Sequence, residues 1–148
     1  MRQFHHEFLV DAPVEHVAEF HRSTQALKSL TPPPLLVKFN HLEPLGEGSK
    51  ADFNLWFGPL PIRWVAVHSR VDPMEGFTDT QVEGPFQTWI HRHSFEPINE
   101  NTTRVIDQIE GQPSNHPFWG LVSRFMWFTL PILFYYRARQ TRKAVEDR

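Results

Sequence analysis

Residues 116–148 read HPFWGLVSRFMWFTLPILFYYRARQTRKAVEDR, and this stretch decides the fold. A helix begins readily at Pro117, and apolar side chains recur at helical spacing as far as Tyr136, after which a basic cluster follows. Apolar residues also occupy most of the opposite face, so we expect the first two thirds of one long helix to be covered nearly all round. Such a helix spans roughly 45 Å at ~1.5 Å per residue, which suits a position across a curved sheet. Pro131 removes a backbone donor and predicts a kink.

The same stretch has a second interpretation, as a membrane anchor. Residues 118–136 have about the length that crosses a bilayer, and basic residues follow them as at a cytoplasmic flank. Arg124 would be costly in the middle of a membrane helix, and Pro131 would interrupt it. The strands elsewhere in the chain also need a helix to cover their apolar face. We therefore favour a helix packed on a sheet.

The composition indicates one globular domain over residues 1–148, with 40% hydrophobic and 22% charged residues. The net charge of −2 gives no general attraction for nucleic acid. The chain has no cysteine, which excludes disulfides and thiolate metal sites, and its N-terminal residues form no apolar signal segment. We therefore expect a cytoplasmic protein.

The rest of the chain consists mainly of strand patterns separated by turn residues. These patterns occur at residues 4–10, 35–42, 51–57, 62–71, 77–82, 86–95 and 103–109. Between the first two, short apolar stripes predict two small helices, one beginning at Pro13 and one capped by Ser23 or Thr24. Short connections between consecutive strands imply an antiparallel meander. The order predicts an α+β fold with a cavity between the curved sheet and the long helix.

Several motifs follow one another in a succession that resembles a known family. They are DAP at 11–13, LTPP at 30–33, LPIRW at 60–64, GPF at 84–86, WIHRHSFEP at 89–97 and TRVID at 103–107. This succession resembles the polyketide cyclase/dehydrase-like branch of the SRPBCC superfamily, whose members are similar to START and Bet v 1 domains. The resemblance covers essentially the whole chain and implies a helix-grip fold, a seven-stranded curved antiparallel sheet wrapped around the C-terminal helix with an apolar pocket between. It implies no particular reaction, because the superfamily includes lipid carriers, hormone receptors, cyclases and hydrolases.

One strand carries the best candidate site residues. Side chains alternate across a strand, so Trp89, His91 and His93 share one face. We assign this face to the concave side of the sheet, because Trp89 needs cover and Arg92 on the other face does not. By the same alternation, Trp64 and His68 share a face of an earlier strand. The facing of Asp79 and Gln81 stays open, since it depends on a bulge near residues 84–85.

A histidine and a carboxylate are expected to meet across the last two strands. If Phe95 pairs with Thr103, the register places His91 opposite Asp107. A carboxylate fixes the imidazole tautomer and raises its basicity, which suits enolisation, cyclisation or dehydration of a polyketide-like substrate. The catalytic candidates are therefore His91, His93 and Asp107. The alternative is that these histidines only satisfy each other inside the sheet.

Metal binding is a weaker interpretation of the same residues. His91 and His93, joined by His68 and Asp107, could in principle hold zinc or iron. A spacing of two residues is weak evidence in a chain with nine histidines, so we expect no metal and no cofactor.

The sequence favours a module that binds a hydrophobic small molecule or lipid in the cavity. The ligand-binding candidates are Trp64, His68, Trp89, His91, His93 and Tyr136. A cyclase or dehydratase that uses His91 or His93 as general acid or base is the first alternative, and a membrane-associated lipid-handling protein is the second. No nucleic-acid partner is expected, membrane contact is not favoured, and the chain is either a monomer or a homodimer.

Overall fold

The computed structural model describes residues 1–23 and 26–146, and it has the predicted α+β architecture. The elements are β1 Arg2–Val10, α1 Val14–Arg22, α2 Ala26–Ser29, β2 Leu35–Leu42, β3 Lys50–Phe57, β4 Leu60–Asp72, β5 Gly76–Glu83, β6 Phe86–Asn99, β7 Thr102–Pro113, α3 Pro117–Phe128 and α4 Leu130–Val145. The strands form one antiparallel sheet in the order β1-β7-β6-β5-β4-β3-β2. Strands β2 to β7 are therefore a meander, and β1 pairs with β7 to form one edge of the sheet. Of the two proposed caps of α2, Ser23 ends α1 and Thr24 lies outside the described residues.

Alternating burial shows which face of each strand lies inward. In β7, Thr103, Val105, Asp107 and Ile109 are buried, whereas the residues between them are more exposed. The concave face is therefore set by the period of two that the sequence displays.

The expected register of the last hairpin is wrong by two residues. Phe95 pairs with Val105 rather than with Thr103, and His93 rather than His91 lies opposite Asp107. The two strands extend to Asn99 and Thr102, so the connection is much shorter than the loop assumed from the sequence. A shift of two residues leaves every side chain on its original face, so the sequence pattern does not distinguish the two registers.

The C-terminal stretch forms two helices where the sequence suggested one. The axes of α3 and α4 meet at Thr129 with a bend of 53°. Pro131 lies in the first turn of α4, where its missing donor costs no helical hydrogen bond, so the predicted kink is a complete break. No single helix of the described chain is long and apolar enough to cross a membrane, although α3 and α4 pass that test when taken together across the bend.

The expectation that this stretch is covered nearly all round is also wrong. The inward side is buried, with Leu130 and Phe134 almost inaccessible. The outward side is open to solvent, and Leu121 and Phe128 are 70% and 87% exposed. A single curved sheet reaches only one side of the bent pair, so the other apolar side is left without cover.

Two groups of buried side chains flank the central part of the concave face. One lies between the sheet and α3–α4 and contains Trp64, Trp89 and Phe134, and the other lies near α1 and contains Phe77 and Phe95. On β6, His91 and His93 lie between Trp89 of the first group and Phe95 of the second.

Candidate functional site

A cavity of about 580 Å³ lies between the concave face of the sheet and the helices α1, α2, α3 and α4. Its lining is mostly aromatic and aliphatic. The polar side chains in the lining are His21, Arg22, Ser23, Thr31, Glu43, His68, Asp79, His91, His93, Thr129 and Arg137. This volume falls within the range of about 300–1,000 Å³ that is usual for small-molecule sites. Trp64 and Trp89 precede the histidines on the same strands, so the lining changes from aromatic to polar along the sheet.

Histidines and aspartates alternate across five strands of the concave face. His6 on β1 pairs with Asp107 on β7, and Asp107 pairs with His93 on β6. On the other side, Asp79 on β5 pairs with His68 on β4. The side chains of His93 and Asp79 connect the two halves through a bond of 2.7 Å between Nε2 and Oδ2. Each aspartate carboxylate therefore lies next to histidine rings along this row of residues.

The carboxylate of Asp107 binds two imidazoles. Its Oδ1 accepts a hydrogen bond from Nε2 of His91 at 2.7 Å and lies 3.3 Å from Nδ1 of His93. Burial opposes ionisation of this carboxyl group, but the two imidazole contacts outweigh that cost and hold the pKa of Asp107 well below its usual range. Asp107 is therefore a buried anion.

His93 lies between two carboxylates. Its Nε2 contacts Asp79 and its Nδ1 contacts Asp107, while its ring stacks on Phe77 with centroids 4.4 Å apart. Burial lowers the pKa of His93, but the two carboxylates raise it by more, to about 9. The same pairing overcomes burial at Asp79 and lowers the pKa of that group to about 2. At neutral pH His93 is thus an imidazolium, and each of its two N–H groups contacts a carboxylate.

His91 has the opposite protonation state. Burial lowers its pKa, and so does the positive charge of His93, whose ring stacks on that of His91 with centroids 3.7 Å apart. The neutral ring donates through Nε2 to Asp107, which leaves a lone pair on Nδ1. No residue within 1–23 and 26–146 donates a hydrogen bond to that Nδ1. His91 is therefore an available proton acceptor in the lining of the cavity.

His68 is held at the far side of the row. Its Nδ1 lies 3.2 Å from the carbonyl oxygen of Ser49 and 2.9 Å from the hydroxyl of the same residue. Since a carbonyl oxygen can only accept, Nδ1 carries the proton. Burial lowers the pKa of His68, so the ring is neutral.

Five of the six ligand-binding candidates line the cavity, and Tyr136 does not. Trp64, His68, Trp89, His91 and His93 all contribute to the lining, with Asp107 behind the last two. The prediction that Tyr136 lines the cavity is wrong. Leu133, Phe134 and Arg137 form the inward face of α4, and Tyr136 lies off that face, about 200° around the helix from Phe134.

Arg137 and His21 are among the cavity residues that the sequence did not indicate. Arg137 was counted with the basic cluster, yet its guanidinium lies 5.3 Å from the centroid of Phe134 and its Nε donates to the carbonyl of Leu30. His21 donates from Nδ1 to the carbonyl of Val17, and burial lowers its pKa to about 4. Both lie four residues after an inward apolar residue of their helix (Leu133 and Val17), a spacing that could have identified them.

The open question about β5 is also answered. Asp79 faces the cavity, whereas the side-chain amide of Gln81 bonds to the backbone of Phe86.

Asp79, His91 and His93 each offer a possible metal ligand atom, and these atoms lie within 4.8 Å of one another. The rings of His91 and His93 stack with only 29° between their planes, so their in-plane lone pairs run nearly parallel and converge poorly on one ion. Both nitrogens of His93 also face carboxylates. The arrangement therefore fits an internal hydrogen-bond network better than a metal centre.

Solved structures share this fold. The chain is similar to protein CV1439 from Chromobacterium violaceum, with a TM-score of 0.78 and 17% identity over 99% of both chains. It is also similar to norcoclaurine synthase from Thalictrum flavum, solved with dopamine and hydroxybenzaldehyde (TM-score 0.66, 18% identity, 96% of this chain and 84% of that one). The Zhui aromatase/cyclase from Streptomyces sp. R1128 gives a TM-score of 0.69 at 15% identity, over 97% of this chain and 90% of that one.

These likenesses confirm the helix-grip fold that the sequence motifs implied for the SRPBCC superfamily. No protein-family model and no curated protein sequence matches the chain. At identities this low, the likeness establishes the fold, and the function has to be argued from the site.

Proposed function

We propose that the protein binds an apolar small molecule or lipid in the cavity between the sheet and the bent C-terminal helices. The observation that carries this proposal is the cavity itself, with its volume of about 580 Å³ and its predominantly apolar lining. A site of this kind binds its ligand mainly through the apolar surface removed from water, and a few polar groups set the orientation. That norcoclaurine synthase was solved with dopamine and hydroxybenzaldehyde supports a small organic ligand for this chain as well.

The polar residues suggest how the ligand lies. Trp64 and Trp89 form an aromatic corner, with centroids 5.2 Å apart, that suits the apolar part of the ligand. Nδ1 of His91 can accept one hydrogen bond, and the guanidinium of Arg137 has donors beyond the one used on Leu30. We therefore expect a ligand whose polar end carries both a hydroxyl and a carbonyl or carboxyl oxygen.

Native mass spectrometry of the protein purified from its own cells tests the proposal. The experiment compares the natural chain with Ala66→Phe, whose added ring projects into the cavity, and with Val67→Phe on the opposite face of β4 as the matched control. We expect a bound apolar molecule in the natural chain and in Val67→Phe, and its loss from Ala66→Phe. Retention of the same molecule by folded Ala66→Phe would contradict binding in this cavity.

A second candidate function is an enzyme of the cyclase or dehydratase type, and one specific observation favours it. Asp107 holds Nε2 of His91, which leaves the basic Nδ1 of a neutral ring without a partner among the described residues. Such a group can remove a proton from carbon next to a substrate carbonyl, and Arg137 can stabilise the enolate oxygen that results. His93 in this mechanism does not exchange protons, since both its nitrogens face carboxylates. It positions Asp107 and Asp79 instead.

Turnover of a polyketide-like substrate decides between the two candidates. In an enzyme, His91→Gln should lower kcat by about 10²–10⁴-fold, because general base catalysis contributes that much. His68→Gln, which alters the same cavity without touching Nδ1 of His91, is the control and should change KM more than kcat. In a binding module, His91→Gln changes only the affinity for the ligand.

A further inference from the structure

The outward side of the two C-terminal helices carries a continuous row of exposed apolar side chains. Five residues between 62% and 87% exposed define this apolar ridge: Leu121, Phe125, Phe128, Ile132 and Tyr135. The row crosses the bend at Thr129 and includes the most exposed large apolar side chain of the described chain, Phe128. Patches of this kind on a protein surface mark contact with a partner or a membrane.

The charge of the same helices is of one sign. All 17 acidic residues of the chain lie outside α3 and α4, which contain Arg124, Arg137, Arg139, Arg142 and Lys143. On α4 the exposed positions 132, 135, 139 and 143 follow one another at helical spacing, so the apolar ridge continues into Arg139 and Lys143. An apolar face flanked by cations is the pattern of a helix that lies at a membrane surface with anionic lipids.

The ridge also adjoins the entrance of the cavity. Leu121, Phe125 and Ile132 are exposed and at the same time contribute to the cavity lining. Phe57, at the end of β3, is 47% exposed and lines the cavity too. An apolar molecule can therefore pass from the ridge into the cavity along apolar surface.

We propose that α3 and α4 dock on an anionic lipid bilayer, with the apolar ridge inserted at the boundary between headgroups and acyl chains. Arg124, Arg139 and Lys143 then contact lipid phosphates, and the entrance of the cavity faces the bilayer. The docking does not depend on ligand binding in the cavity, whereas the passage of a ligand from the bilayer into the cavity rests on the function proposed above.

Charge decides between this surface and a second copy of the chain. A symmetric dimer through the ridge packs α3 and α4 of one copy against α3 and α4 of the other, and neither helix has an acidic residue to pair with the cations of the other copy. An anionic membrane complements those cations. The membrane is therefore the occupant that fits both the apolar and the charged part of the surface.

Vesicle flotation with the full chain tests the proposal. The probes are phosphatidylcholine vesicles with and without about 30 mol% phosphatidylserine, because surface attraction depends on anionic lipid. We expect the natural chain to float with the anionic vesicles and to be released as salt is raised. Phe128→Asp, and separately Arg139→Glu combined with Lys143→Glu, should lower the bound fraction about tenfold or more. Leu36→Asp, which replaces another exposed apolar residue on β2 (69% exposed, against 87% for Phe128), is the matched control and should float normally.

Three results would overturn the docking. One is failure of the folded natural chain to bind either kind of vesicle. Another is a doubled mass in solution that Phe128→Asp returns to the monomer, which would assign the ridge to a second copy. The last is binding that survives both high salt and an alkaline carbonate wash, which would mean an inserted segment. If the natural chain floats but carries no apolar molecule in native mass spectrometry, the docking stands and the proposed ligand binding fails.

Discussion

The protonated state of His93 gives the fold a measurable pH dependence. Burial opposes its charge, but Asp107 and Asp79 on either side raise its pKa from 6.5 to about 9. Because the folded-state pKa lies above the unfolded value, the native protein holds an extra proton between these two pH values. The stabilisation is fully present below pH 6.5 and is lost as the pH rises through 9. At about 1.4 kcal/mol per pKa unit, the loss amounts to roughly 3 kcal/mol.

Urea unfolding of the natural chain and of His93→Gln at intervals between pH 6.5 and 9 measures this effect. The natural chain should lose stability across the interval, whereas the variant should be less stable at pH 6.5 and should not lose stability as the pH rises. His5→Gln, at an exposed position of β1, is the matched control and should keep the natural slope. The pKa is lowered in the other buried or half-buried histidines, and their unfolded forms release protons near pH 6.5, so they add a small rise of stability with pH to both chains; the difference between the two slopes therefore reports mainly His93 (His6, His21, His68, His91). Equal slopes in the natural chain and His93→Gln would refute the reasoning.

Three further substitutions test the packing around the site. Asp107→Asn leaves the imidazolium of His93 with one carboxylate in place of two and should destabilise the fold by about 3–5 kcal/mol at pH 7, as measured by urea unfolding. Phe134→Ala removes a fully buried ring and should cost about 3–5 kcal/mol; a cost below about 1 kcal/mol would mean that α4 does not pack as described. Gly111→Ala places a methyl group 2.5 Å from the ring of Trp127, so it should displace α3, lower the melting temperature and change the near-ultraviolet circular dichroism.

The architecture could be predicted from the sequence because it depends on local patterns. Alternation of apolar and polar residues defines the faces of the strands, and Pro131 indicates the place where the C-terminal stretch breaks. The register of the β6–β7 hairpin could not be derived in this way. Pairing Phe95 with Thr103 or with Val105 buries the same side chains, and the difference lies in the length of the turn.

The candidate site was only partly predictable for a related reason. His91 and His93 were identified together from their spacing, but their opposite protonation states depend on which carboxylates lie near each nitrogen. Asp79 is brought to His93 by a neighbouring strand whose facing the sequence left open. Arg137 was counted with the other cations near the C-terminus, whereas it lines the cavity and its Nε donates to the carbonyl of Leu30 on a distant part of the chain. Contacts between distant elements set these features, and no local pattern contains them.

The central claim is that an apolar molecule enters the space between the sheet and the helices. Nuclear magnetic resonance of the tryptophan indole N–H groups during titration with the apolar probe anilinonaphthalene sulfonate tests it most directly. Trp64 and Trp89 line the cavity, whereas Trp56 lies on the other face of β3. We predict that the signals of Trp64 and Trp89 move together and saturate while that of Trp56 stays in place. Saturable movement of Trp56 alone, or no movement of the two cavity tryptophans, would contradict the account.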